Sequence, residues 1–154
     1  MTFLPVLGRV PSGLFVLAAR QGEEETGMLA SWVMQAGFEP PMVSVAVRKD
    51  RYVADWLTAG TPFVLNILAQ EQKSLLAHFG RGFAPGEPAF NGLSLQRTGH
   101  GLAVLIGALG HLECVPHSHL DSSDHRIFLA EVTGGSLQAE GHPAVHVRKT
   151  GAHY

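Results

Sequence analysis

Residues 26–51, TGMLASWVMQAGFEPPMVSVAVRKDR, constrain the fold of this chain more than any other stretch. Gly27 opens it, and over residues 28–34 small, polar and large apolar side chains alternate, as on a strand. Residues 35–39 break the pattern. Pro40-Pro41 then force an extended corner, because a proline disfavours helical geometry at the residue before it. Residues 42–47 are an almost unbroken apolar run that ends abruptly in Arg48-Lys49-Asp50-Arg51. The pattern predicts two adjacent strands, the second buried on both faces, with a cationic cluster at its exit.

That layout suits a flat ligand with a phosphate tail. Ala30, Ser31 and Trp32 would offer a small, flat surface with backbone donors, and Arg48, Lys49 and Arg51 would meet the phosphate. Asp50 is a good N-cap for a helix starting at Arg51, which would aim free N–H groups the same way. A buried hairpin with a solvated basic turn accounts for the same residues, and a short motif alone does not choose between the two.

A chain of 154 residues is long enough for a sizeable core, and residues 1–154 are expected to form one domain. Hydrophobic residues make up 45% and charged residues only 16%, which predicts apolar surface covered by a partner. A net charge of −2 argues against nucleic acid or an anionic membrane as that partner. The single cysteine, Cys114, excludes an internal disulfide framework, and its apolar neighbourhood suits packing better than reactivity. The opening MTFLPVLGRVPSG has neither a basic n-region nor a long apolar segment, so a cytoplasmic chain is expected.

Further strands are expected at residues 14–20, 62–68, 93–97, 104–114, 125–132 and 144–149, and helices at 51–60 and 70–80. Residues 21–26 read as a polar hairpin loop, 81–92 as a long loop, 115–124 as a loop rich in His, Ser and Asp, and Gly134-Gly135 as a turn. Strands do not alternate regularly with helices, so a mostly β fold, a barrel with helical caps, fits better than a doubly wound sheet. No G-x-G-x-x-G follows a strand, Gly-x-Ser-x-Gly is absent, and no paired carboxylates stand out, so an enzyme here would rely on a cofactor. His117 and His119, with His125 beyond them, could share one face of a strand as metal ligands; polar loop residues at a barrel rim explain them more simply.

The order of GLFVLAAR, GMLASWVMQAGFEPPMVSVAV, KDR, PFVLNIL, HF, ALGHLEC, SDH before a strand, and VHVRKTGAHY resembles the flavin reductase-like domain, an FMN-binding split β-barrel of Greek-key type with short flanking helices. The pieces LASW, FAPG and the RKTGAHY tail look like the flavin reductase module at the C-terminus of cyanobacterial flavodiiron, or diflavin, proteins. The resemblance implies a homodimer with FMN near its interface and hydride transfer from NADH or NADPH to the flavin. By position, Met28, Leu29, Ala30, Ser31, Trp32 and Val33 would line the flavin ring, with Ser31 in direct contact. Arg48, Lys49 and Arg51 would approach the phosphate, and Phe79 would lie near the flavin. His125 would sit on the nicotinamide side as the catalytic residue, and no metal is implied. Ser123 stands where the family often has Gly, and the Arg48–Arg51 cluster replaces more usual Ser/Thr-rich phosphate contacts. The residues fit an NAD(P)H-dependent FMN reductase, an electron-transfer flavoprotein that holds FMN tightly for a protein acceptor, or a metal protein built on His117, His119 and His125.

Overall fold

The computed structural model describes residues 1–154. A short helix α1 (Leu4–Gly8) and strand β1 (Ser12–Gly13) lead into a hairpin of β2 (Phe15–Gln21) and β3 (Glu24–Ala30). Two residues later comes a second hairpin, β4 (Val33–Phe38) and β5 (Pro41–Arg48). Helix α2 (Tyr52–Thr58), strand β6 (Phe63–Ile67), a 3-10 turn (Gln70–Gln72) and helix α3 (Leu75–Gly80) follow. A small pair, β7 (Leu95–Arg97) and β8 (Ala103–Leu105), precedes the long hairpin of β9 (Gly110–Asp121) and β10 (His125–Leu137). Last, β11 (Val145–His146) pairs with β1.

Seven strands form one antiparallel sheet in the order β3-β2-β6-β9-β10-β5-β4. Its two outermost strands, β3 and β4, are joined by Ser31 and Trp32 alone. Laid flat, six gaps of roughly 4.8 Å would hold those strands about 29 Å apart, whereas three peptide steps reach at most about 11 Å. The sheet therefore curls until its ends meet at Ser31-Trp32, where the Ala46 N–H extends the β4–β5 ladder by donating to the Trp32 carbonyl at 3.0 Å. The result is the mostly β split barrel with short flanking helices that the sequence predicts.

The barrel interior is one apolar cluster that includes Leu17, Met28, Val45, Phe63, Leu65 and Phe128, with Val53, Trp56 and Leu57 of α2 closing one end. A second cluster lies outside β2 and β6. Val16, Ala18 and Val64 pack there against Phe79 of α3, Phe90 and the β7–β8 pair. Strands β2 and β6 are thus buried on both faces, which explains their continuous apolar sequence. Asn66 is the polar exception on β6. Its amide donates to the Val16 and Ala103 carbonyls, and its oxygen accepts from the Leu105 N–H at 2.9 Å, so a buried polar group is fully used to tie β8 to the sheet.

Several expected boundaries move. The strand expected over residues 28–34 is two strands, and β4, not β3, is the neighbour of β5. Strand β5 is not buried on both faces: Val43, Val45 and Val47 point inward, while Ser44 and Ala46 are partly open. Asp50 does not cap α2, which starts at Tyr52 after Arg51; its carboxylate pairs with Arg48 instead. Residues 21–26 are strand except for a tight tip at Gly22-Glu23. The helix expected over 70–80 splits, because the Gln72 side chain turns back onto the Ala69 N–H and tightens the first turn. The strand expected over 104–114 is divided by a turn between β8 and β9. Residues 115–121 are strand rather than loop: Pro116, which lacks an N–H, is accommodated beside a bulge at His117. Gly134 and Gly135 do not turn the chain; they stay in β10, where a Cβ on Gly134 would stand 2.8 Å from the Glu113 carboxylate.

Candidate functional site

Between the end of β3, the exit of β5 and helix α3 lies a cleft of ≈ 220 Å³. Met28, Leu29, Ala30 and Ser31 form one wall, Phe79 and Leu76 come from α3, and Arg48 and Arg51 stand at the mouth. Leu14, Ala46, Gly80, His146 and Tyr154 complete the lining. The sequence-predicted residues Met28, Leu29, Ala30, Ser31, Arg48, Arg51 and Phe79 therefore come together although they span more than fifty positions.

The local fold explains the wall. Ser31 and Trp32 lie between strands as the chain crosses from one end of the sheet to the other, so their N–H groups make no ladder bond. Ser31 is 8% exposed; neither its N–H nor its hydroxyl donates to a protein acceptor, and the hydroxyl is not buried but opens to the cleft. A nearly buried serine with two free donors beside a flat apolar wall is suited to a planar heterocycle bearing hydrogen-bond acceptors. Arg51 has no carboxylate partner. Arg48 is shared with Asp50 at 3.3 Å, an exposed pair that an incoming anion can compete for. Two guanidiniums at the mouth of an apolar cleft suit a phosphate.

Four predicted residues fall elsewhere. Lys49 is exposed and outside the cleft, because one step beyond Arg48 its side chain leaves on the other side of the strand end. Trp32 faces an apolar groove of ≈ 700 Å³ on the outer side of β4, β5 and β10, shared with Met34, Ile127 and Val145; Val33, opposite Val45, borders the groove but packs against the barrel interior. His125 belongs to a neighbouring polar cleft of ≈ 310 Å³ with Trp32, Arg48, Asp124, Arg148 and Tyr154. Arg48 and Tyr154 border both the flat cleft and the polar one.

His125 is 6% exposed. Its Nδ1 lies 2.7 Å from Asp124, and its Nε2 is hydrogen-bonded to the Tyr154 hydroxyl. The Trp32 ring packs 4.6 Å from the imidazole and 5.2 Å from Tyr154. The hydrogen bond from His125 holds the Asp124 carboxyl below the usual carboxylate range. Burial pushes the Tyr154 phenol up, opposed by Arg51, Arg48 and Arg148. The metal alternative finds no support in this geometry: His117 pairs with Glu131 at 3.1 Å, His119 packs against Phe128, and His125 is held as just described. No group of three or more His, Cys, Asp or Glu side chains is placed to hold a metal ion. A larger hollow of ≈ 580 Å³ at the other end of β2 and β6, around Arg20, His100 and Glu113, contains none of the predicted residues.

Sequence reasoning missed Tyr154, Arg148 and His146 as site residues. His146 and Arg148 lie in the last expected strand and Tyr154 in the tail beyond it, so the only signal for a site role was the composition of VHVRKTGAHY itself.

The family model for the flavin reductase-like domain matches residues 7–152. Diflavin flavoprotein A 1 of Synechocystis is 43% identical over 150 residues, covering 96% of this chain and 26% of that protein. The chain thus spans about a quarter of the length of the curated relatives it matches. Among solved structures, the Streptomyces globisporus NADH:FAD oxidoreductase SgcE6, in complex with NAD and FAD fragments, superposes with a TM-score of 0.83 at 28% identity, covering 93% of this chain and 85% of that one. The styrene monooxygenase flavin reductase of Pseudomonas putida gives 0.80 at 26% identity, over 96% and 93%. With a family match over nearly its whole length and a barrel shared with these reductases, the chain belongs to the flavin reductase-like domain family.

Proposed function

We propose that this chain binds a flavin, as FMN, in the ≈ 220 Å³ cleft and passes it hydride from NADH or NADPH bound against His125. The observation that carries the reading is the wall of residues 28–31, where Ser31 keeps two free donors beside small side chains, with Arg48 and Arg51 at the mouth. The chain's residues divide the work by place. Ser31 donates to the ring edge, Phe79 and Leu14 keep water from its buried side, and Arg48 and Arg51 take the phosphate. The same cations stabilise negative charge gained near the cleft mouth. When bound, the flavin supplies the two-electron acceptor, so the protein needs to position its reactants rather than to provide a nucleophile. His125, fixed by Asp124, orients the nicotinamide in the adjoining cleft, and Trp32 stacks beside it.

The relatives' greater length favours a second reading of the same site. In it the flavin stays bound and its electrons go to a protein acceptor. Residues 1–154 act as one unit in both readings. A homodimer belongs to both readings, with the apolar groove around Trp32, Met34 and Ile127 as its contact surface.

Steady-state oxidation of NADH and NADPH, with FMN, FAD or riboflavin added, tests the proposal. Turnover that depends on flavin and saturates at lower FMN than riboflavin is expected. No turnover with any flavin overturns the reductase reading. Flavin that remains on the protein through gel filtration after turnover, and passes electrons to an added protein acceptor, favours the second reading.

A further inference from the structure

The Tyr154 side chain separates the flat cleft from the polar one and is bonded to His125, a position that asks for a role. Its place does not result from a loosely folded tail. The Arg148 N–H donates to the Gly8 carbonyl at 2.7 Å, the Gly151 N–H to the Leu4 carbonyl at 2.6 Å, and the Arg9 guanidinium to the Arg148 carbonyl at 2.9 Å. Gly151 packs so closely on Leu7 that a Cβ there would overlap the leucine side chain. Helix α1 therefore anchors the tail three residues before Tyr154. Arg148 donates to the His153 carbonyl at 2.9 Å and lies over the Trp32 ring, which fixes the last step.

The hydrogen bonds around His125 have a defined direction. An ionised carboxylate can only accept, so Nδ1, 2.7 Å from Asp124, carries a proton. In the neutral imidazole Nε2 is then the bare nitrogen and accepts from the Tyr154 hydroxyl. Near neutral pH a phenol carries the proton that this bond requires. Asp124 is exposed and adjacent in sequence, so by itself it is a weak restraint on a ring. Tyr154 supplies a restraint from the opposite edge, across twenty-nine positions of chain.

We propose that Tyr154 is a positioning residue that holds His125 in its Nδ1-protonated tautomer and in one ring orientation, and so sets how the nicotinamide is received. The role rests on the proposed nicotinamide site, but its first consequence, the tautomer, belongs to the ligand-free protein. Because Tyr154 borders both clefts, its ring also limits how far a nicotinamide can approach the flavin cleft. Its hydroxyl and its ring have separable effects.

Two variants separate them. Tyr154→Phe keeps the ring and removes the hydroxyl. Gly151→Val leaves Tyr154 intact but lifts the tail from Leu7. Nitrogen-detected NMR of the imidazole, in protein without flavin or nucleotide, reads the tautomer directly. The wild type is expected to show one Nδ1-protonated form, and both variants a mixture or the other form. In steady state with FMN, Tyr154→Phe is expected to raise the KM for NAD(P)H about 5- to 20-fold with kcat within about 2-fold, corresponding to loss of about one hydrogen bond's worth of orientation. Flavin affinity, read by fluorescence quenching, is expected to be unchanged in Tyr154→Phe. An unaltered tautomer in both variants overturns the positioning role, whatever the activity. Altered tautomers with no NAD(P)H turnover in the wild type leave Tyr154 as the residue that positions His125 and reject the reductase reading alone.

Discussion

Arg48 and Lys49 are neighbours in sequence with the same charge, yet only Arg48 reaches the cleft, and Arg51 joins it from the start of α2. If these cations hold a phosphate, Arg48→Ala and Arg51→Ala should each weaken FMN by about 10- to 100-fold, the loss of one charge-assisted hydrogen bond. Riboflavin, which has no phosphate, should bind the variants nearly as it binds the wild type, and Lys49→Ala should change neither ligand. Fluorescence titration with both flavins checks this, and equal losses for the two would remove the phosphate assignment. Cys114 gives a prediction independent of flavin. Burial, and secondarily the Glu113 carboxylate, push its thiol up to about 12. The folded protein keeps the thiol protonated where the unfolded chain would lose the proton, so the stabilisation is complete below the unfolded value near 9.0 and is lost as pH rises towards the folded one. Between pH 9 and pH 11 the wild type should lose about 1.4 kcal/mol per pH unit more than Cys114→Val, measured by urea unfolding. Thiol reagents at pH 8 should label Cys114 only after unfolding.

At the scale of elements, the flat cleft depends on how closely β3 approaches α3. A Cβ on Gly27 would meet the Phe90 ring at 2.6 Å and the Phe79 ring at 3.0 Å, both in a closely packed cluster. Gly27→Ala should therefore destabilise the protein by about 1–3 kcal/mol through overpacking. It should also weaken flavin binding, because Phe79 lines the cleft and is the side chain displaced. Urea unfolding and flavin titration of the same variant check both effects, and a loss of stability with flavin affinity intact would show that Phe90 alone gives way. The long segment after α3 proves to be packing rather than a free arm. Its Ala89 and Phe90 are buried, and its Phe83 carbonyl accepts from the Tyr52 hydroxyl at 2.7 Å.

For the whole molecule, the outer face of β4, β5 and β10 leaves Met34 71% exposed beside the apolar groove. Patches of this kind on a chain with so little charge mark an interface. If a second copy covers the groove, light scattering at micromolar concentration should give about 33 kDa, twice the 16.5 kDa of one chain. An obligate interface would bury on the order of 2,000 Å² or more. Met34→Glu should shift the protein to the monomer by placing a charge in the centre of that surface. A wild type found only at 16.5 kDa would reject the dimer. No helix is long and apolar enough to cross a membrane.

The sequence by itself determined where the buried strands lie, because a buried strand has a short-range signature. The continuous apolar runs of β2 and β6, the Pro40-Pro41 corner and the abrupt basic exit of β5 were all legible in it. It also brought out most of the flat cleft, since residues 28–31 and Arg48 flank one continuous stretch. Three decisions came only with the tertiary structure. The alternation of residues 28–34 looks like one strand, and only barrel closure shows that Ser31-Trp32 is where the chain passes between opposite ends of the sheet. Pro116 and Gly134-Gly135 look like breaks, and only strand pairing shows that a bulge and a close backbone approach absorb them. The meeting of Tyr154 with His125 depends on helix α1 holding a tail that has no periodic pattern of its own. In each case the deciding contact joins residues far apart in sequence, and local propensity carries no information about such pairs.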